Sequence, residues 1–176
     1  KYQKLDYTLR QSQASHRHEL KAMLEEMVLI KKAYVHNRRL WHGSFPLHIG
    51  IYLSAGWLGL LLTGAAALLL DPASEPSGWY VSIRILTQAV GAAGLLSGLM
   101  GSIYLLWLRF TDEDLKSMTD PALYAQLALL ASLFGAGAIS WVSVDFQFDL
   151  IRNHVATLLA GRPSQPHPLV AIQMLL

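Results

Sequence analysis

Residues 45–70 decide the class of this protein, and they read FPLHIGIYLSAGWLGLLLTGAAALLL. No Asp, Glu, Lys or Arg occurs among them, and the run exceeds the roughly 20 residues with which a helix crosses a bilayer. Two further uncharged runs follow, at residues 85–108 and 121–144. The sequence therefore predicts three complete membrane-spanning helices.

The rest of the composition supports an all-α, polytopic membrane helix bundle. Charged residues make up 15% of the 176-residue chain, against about 25% in soluble domains. A shorter apolar run, residues 168–176, is interpreted as the start of a fourth span, and five spans are expected in the intact protein. Two regions are predicted, a basic segment 1–44 with an amphipathic helix and a membrane bundle 45–176.

The basic residues are unevenly distributed. Nine of the fourteen Lys and Arg lie before residue 40, so the positive-inside rule predicts that residues 1–44 are cytoplasmic. We expect a multi-pass protein of the cell inner (plasma) membrane, in contact with the lipid bilayer and without a nucleic-acid partner.

Two amphipathic helices are predicted outside the spans. In residues 15–34, apolar side chains recur at helical spacing between charged ones. This helix lies on the membrane or on its own domain, or it is a docking face for a cytoplasmic partner. The second helix, in residues 146–159, is expected to cap the outer side of the bundle.

His48 stands just inside the first span. An ionisable or metal-binding side chain at membrane depth indicates a functional site by default, and an axial bond to haem iron is the commonest use of such an imidazole. The alternative is a structural histidine bonded to a backbone carbonyl or a polar neighbour. The chain has no cysteine, which excludes disulfides, Cys-ligated clusters and c-type haem on this chain.

A bis-histidine haem needs a second ligand. His42 lies six residues before His48, about 240° around the helix, and cannot reach the opposite haem face. His154 and His167 are predicted to lie across the bilayer, roughly 30 Å away. His36 stays a candidate, but a histidine beyond Leu176 is the simplest solution.

The second span carries glycines at positions 91, 94, 98 and 101, all on one helical face. Gly94 and Gly98 form a small-xxx-small pair, which is typical of close helix packing. The compatible alternative is that the bare face leaves room for a flat macrocycle.

Several polar residues are candidates for contacts to cofactors. Arg38, Arg39 and Arg109 flank the cytoplasmic end and either pair with haem propionates or simply follow the positive-inside rule. Arg84 lies about one turn inside the second span and either snorkels to the interface or contacts a quinone headgroup. Gln88, one turn further on the same face, could then donate to a quinone carbonyl.

The block SFPLHIGIYL, residues 44–53, resembles the start of the second membrane helix in the cytochrome b (gamma) subunit of respiratory nitrate reductase. That family includes relatives that partner heterodisulfide-reductase-like iron–sulfur proteins. The order of elements agrees over roughly residues 35–176: basic loop, His-initiated span, glycine-rich span, polar loop, and a span opening with TDPALY at residues 119–124.

The resemblance implies five spans, b-type haem between the second and fifth helices, a quinone or quinol substrate and a cytoplasmic iron–sulfur partner. His48 matches the ligand of the haem nearest the cytoplasm. Two-haem members carry another histidine ten residues later, where this chain has Leu58, and one near the start of the last helix, where residues 168–176 have none. One haem b is therefore expected.

The predicted function is electron transfer between membrane quinone and an iron–sulfur partner, as a subunit of a quinone-linked oxidoreductase complex. The alternative is a haem-free membrane anchor or scaffold, in which the glycines pack helices and His48 is structural. A transporter is disfavoured because, apart from Arg84, the spans lack the intramembrane charges that mark ion paths.

Overall fold

A computed structural model describes residues 20, 21, 23, 30–70 and 77–162 of the chain. Six helices have described bounds, Leu20, Lys21 and Met23 are also helical, and no strand occurs among the described residues. The six helices are α1 (Lys31–His36), α2 (Arg38–Leu70), α3 (Gly78–Thr111), α4 (Glu113–Ser117), α5 (Pro121–Ser143) and α6 (Asp149–Leu159). The prediction of an all-α protein is confirmed.

Three of these helices, α2, α3 and α5, are long and apolar enough to cross a membrane. They contain nearly all of the three uncharged runs, and α2 and α3 extend beyond them. A helix of 33 residues such as α2 is about 50 Å long, whereas the hydrocarbon core is about 30 Å thick. The chain is thus a helical membrane protein. Residues 168–176, the predicted fourth span, lie outside the described residues.

The chain divides into two compact units, Lys1–Trp41 and His42–Leu176. In the first unit, Tyr34 packs edge-on against Trp41 with ring centres 5.1 Å apart. The Nη2 atom of Arg38 donates to the Tyr34 hydroxyl at 2.7 Å. This contact holds Arg38 beside the aromatic pair.

The predicted helix over residues 15–34 is wrong at its carboxyl-terminal part, because Ile30 interrupts it. Ile30 has φ of 49° and ψ of 48°, a left-handed conformation that a β-branched residue adopts only rarely and that an α-helix does not contain. A new helix, α1, begins at Lys31. Residues 15–19, 22 and 24–29 lie outside the described part of the chain.

In the second unit, α3 packs against both α2 and α5 through its glycines. A Cβ added to Gly50 would clash with the backbone of Gly98, and one added to Gly98 would clash with the ring of Phe134 in α5. A Cβ on Gly101 would likewise meet the backbone of Leu47. The predicted packing role of the glycine face is confirmed.

One end of the bundle is covered by α6, and we call it the cap end. Phe148, fully buried just before α6, lies with its ring centre 5.1 Å from that of Trp57 and against Gly91. Arg152 of α6 packs against Gly64. The predicted amphipathic helix within 146–159 thus forms as α6 and closes over the bundle.

Candidate functional site

His48 is half-buried in α2, and one of its two ring nitrogens is bonded within the helix. Its Nδ1 lies 2.7 Å from the backbone oxygen of Ser44. A carbonyl oxygen only accepts hydrogen bonds, so Nδ1 carries the proton and donates. The lone pair is consequently on Nε2, the nitrogen that remains for another partner.

This hydrogen bond agrees with both interpretations of His48. A structural histidine bonds to a backbone carbonyl in just this way. Metal-ligating histidines also donate their second ring N–H to a carbonyl, which sets the tautomer and the ring orientation. The structural and the metal-ligating interpretation differ in whether Nε2 binds a metal.

The helical face that carries His48 is turned away from α3. The buried side of α2 runs through Gly43, Leu47, Gly50 and Trp57, where it packs on α3. His48 is two residues before Gly50, which places it roughly 160° around the helix from that contact. It therefore lies on the side of α2 opposite the bundle core.

Gly94 and Gly98 consequently do not share a pocket with His48. A Cβ on Gly94 would contact Leu53 and Ser54 of α2 at 3.2 Å, and Gly98 lies against Gly50 and Phe134. The expectation that these glycines leave room for a flat macrocycle does not fit this arrangement, because protein atoms fill the space.

An apolar groove does lie on the His48 side, between α2 and α5. Its volume is about 380 Å³, and it is lined by Ile51, Ser54, Ala55, Leu58, Leu130, Leu133 and Phe134. Ala55 is seven residues after His48, so the two side chains are only about 20° apart around the helix. None of the described residues that line this groove is ionisable, and His48 itself lies outside the lining, about two helical turns from Ala55.

Two other histidines of the second unit, His42 and His154, are not brought to His48. His42 lines a separate groove of about 520 Å³ between α2 and α3, together with Pro46 and Tyr104. His154 is buried in α6 at the cap end. Among the described residues, no group of three or more His, Asp or Glu is placed to hold a metal ion. His167 lies outside them.

Arg84 is bound to protein groups rather than placed at a cofactor pocket. Its Nη2 lies 2.5 Å from Oδ2 of Asp149 in α6 and also donates to the side-chain oxygen of Gln147. Snorkelling and a quinone contact both stay predictions, because these contacts involve only Nη2 of a side chain that is 38% exposed. Gln88 is half-buried in α3, and its hydrogen bond to a quinone carbonyl stays a prediction.

Sequence reasoning missed the other members of this polar cluster. Oδ1 of Asp149 accepts from Nη1 of Arg152 at 2.5 Å, and the Arg152 side chain is only 1% exposed. Asp145, also buried, accepts from the backbone N–H of Ile151 at 2.9 Å. The pair Asp149 and Arg152, three residues apart on one predicted helix, was the available local signal.

The remaining predicted residues are the flanking arginines. Arg109 is half-buried in the last turn of α3, and its Nε and Nη1 are buried without a hydrogen-bond partner among the described residues. Its backbone oxygen accepts from the Tyr124 hydroxyl at 3.0 Å. Arg38 and Arg39 are exposed and belong to the first unit.

Comparison with known proteins adds no relative. No protein-family model matches the chain, and neither a curated protein nor a solved structure matches it. The resemblance to the nitrate reductase gamma subunits therefore stays a prediction.

Proposed function

We propose that this protein is a membrane subunit that binds one b-type haem through His48 and passes electrons between membrane quinone and a cytoplasmic iron–sulfur partner. The observation that carries the proposal is the orientation of the imidazole. Nδ1 is held by the Ser44 carbonyl, so Nε2 bears the lone pair, and His48 shares its face of α2 with Ala55 of the apolar groove about two turns away.

The donor chemistry of this site fits haem. A neutral imidazole with its second nitrogen bonded to a carbonyl is a usual axial ligand environment. The walls of the neighbouring groove, including Leu58 and Leu130, would exclude water, which tunes the potential of a haem. When bound, haem supplies one-electron chemistry, and the chain's part is to orient the ligand and set its surroundings.

The second axial ligand would come from another helix facing the outer side of α2. His42 lies on the wrong side of α2 for this role, and His154 lies at the cap end. We therefore propose that the second ligand lies outside the described residues. Arg109, whose guanidinium retains unpartnered N–H groups, is the described residue best suited to meet a carboxylate such as a haem propionate.

The quinone, the iron–sulfur partner, the family and the plasma-membrane location rest on the resemblance and on the charge distribution. Under this proposal, the basic first unit with Arg38 and Arg39 faces the cytoplasm. Arg84 and Gln88 are the proposed quinone contacts.

A haem-free anchor or scaffold is the second candidate, and one observation favours it. The glycine face is filled by protein, with Gly50 directly against Gly98, so α2 and α3 pack directly against each other. In that case, His48 is a structural residue, and its role is the hydrogen bond to the Ser44 carbonyl.

The deciding experiment is a dithionite-reduced minus oxidised visible spectrum of the full-length protein, purified after expression with added haem. We expect a b-type α-band that His48→Ala removes and His42→Ala, the matched control, retains. A band that survives in His48→Ala would move the ligand elsewhere. A parent protein without any band would leave the scaffold as the better description.

A further inference from the structure

A second groove lies at the cap end, where the last turn of α2 meets α6. Its volume is about 400 Å³, and its lining combines four apolar residues with three polar ones: Leu68, Leu69, Ala156, Ala160, Asn153, Thr157 and Arg162. It is thus apolar along one part and polar along the other. This combination suits an amphiphile better than a wholly apolar or wholly polar ligand.

The position of the groove is that of the membrane interface. Leu68 and Leu69 end a membrane-spanning helix, and α6 closes over the same end. Leu158 and Leu159 of α6 stay 45% and 53% exposed, while other residues of this helix are buried in the bundle. An amphipathic helix with outward leucines beside the end of a span is expected to lie at the boundary between headgroups and acyl chains.

Of the described residues that line the groove, Arg162 alone is ionisable. Two backbone hydrogen bonds at the end of α6 fix the position of the Arg162 backbone. Gly161 has φ of 68°, and its N–H donates to the oxygen of Leu158 at 3.0 Å, while the N–H of Arg162 donates to the oxygen of Thr157 at 2.9 Å. This pair of bonds is a Schellman motif, which ends α6 and satisfies its last carbonyls.

Charge at the cap end also favours an anion. Among the described residues, no carboxylate lines the groove. Next along α6, the Nε and Nη2 of buried Arg152 have no hydrogen-bond partner among the described residues, while its Nη1 shares the carboxylate of Asp149 with Arg84. The carboxylate of Asp149 thus serves two guanidinium groups.

We propose that this groove binds an anionic phospholipid, with an acyl chain along Leu68, Leu69 and Ala160 and the phosphate at Arg162. The inference is independent of haem binding, since it needs only a membrane protein with this cap.

The test is native mass spectrometry of the full-length protein, titrated in detergent with phosphatidylglycerol or with phosphatidylcholine of the same acyl chains. We expect preferential retention of phosphatidylglycerol, weakened about fivefold in Arg162→Gln, the effect of one arginine at an anionic surface. Lys116→Gln, which removes an exposed charge from α4, is the matched control and should bind normally. Ala160→Phe keeps the charge but fills the groove, and should weaken retention of both lipids.

Three results would overturn the proposal. Equal weakening by Arg162→Gln and Lys116→Gln would reduce the effect to net charge. Equal retention of the two lipids, unchanged in Arg162→Gln, would remove the headgroup contact. Displacement of the lipid by inorganic phosphate would identify a free-anion site instead. Far-UV circular dichroism confirms that each variant keeps its helices.

Discussion

Arg84 of α3 and Asp149 of α6 form an ion pair between residues 65 positions apart in the chain, with Nη2 and Oδ2 separated by 2.5 Å. The same carboxylate accepts from Arg152, whose side chain is almost fully buried. Asp149 therefore joins a membrane-spanning helix to the cap helix and supplies the counter-charge for a buried guanidinium. This explains how an arginine is accommodated inside a span.

Asp149→Asn should destabilise the protein more than Arg84→Gln. Loss of the carboxylate leaves buried Arg152 without its counter-charge, and we expect about 1.5–3 kcal/mol, the range for hydrogen bonds to charged groups. Arg84→Gln leaves Asp149 paired with Arg152 and involves a half-exposed side chain, so about 1 kcal/mol or less is expected. Unfolding titrations in mixed micelles measure both, and equal losses would contradict the shared-carboxylate arrangement.

Gly50→Ala should weaken the α2–α3 contact, because its Cβ would meet the backbone of Gly98, which cannot rotate away. Overpacking of this kind is expected to destabilise by about 1–3 kcal/mol. Gly59→Ala is the matched control in the same helix, since nothing lies within 4 Å of its added Cβ. That substitution should be neutral, or stabilising by up to about 1 kcal/mol. The unfolding titration reports both, and similar effects would argue against direct backbone contact.

Phe148→Ala should detach the cap. Its ring is completely buried between Trp57 and Gly91, and such truncations destabilise by about 3–5 kcal/mol. Phe146, two residues earlier, is 54% exposed and stacks on Trp141 at 5.1 Å, so Phe146→Ala should lose about 1.5 kcal/mol or less. Hydrogen exchange of the α6 amides is the readout. Unchanged protection in Phe148→Ala would show that the cap is held by other contacts.

Ala55→Trp tests the groove beside His48 without altering the ligand. If haem uses this space, a bulky ring in its wall should weaken haem binding about tenfold, which corresponds to 1.4 kcal/mol of overpacking. Ala89→Trp, at an exposed position of α3, is the control. Haem titration followed by the Soret band measures the affinities. Normal affinity in Ala55→Trp would place haem on another side of His48.

The three spans and the glycine packing face were predictable because both depend on local pattern. Uncharged runs of sufficient length must become helices in lipid, where every backbone group has to be bonded internally, and glycines three and four residues apart necessarily share a face. The helix in residues 15–34 was overextended because apolar spacing continues through Ile30, and nothing in that spacing predicts a left-handed residue there.

In the candidate site, too, some features follow from local sequence pattern and others only from tertiary contacts. Hydropathy and helical period along the chain suffice for the class of the protein, the positions of its spans and the presence of an imidazole just inside the first of them. The ion pair of Arg84 could not be predicted from local pattern, because its acidic partner, Asp149, lies in a later helix. Equally, the rotation of α2, which turns His48 away from Gly94 and Gly98, is set by where α3 packs. Such pairings follow from long-range contacts that form only when the bundle assembles, and they require the tertiary structure.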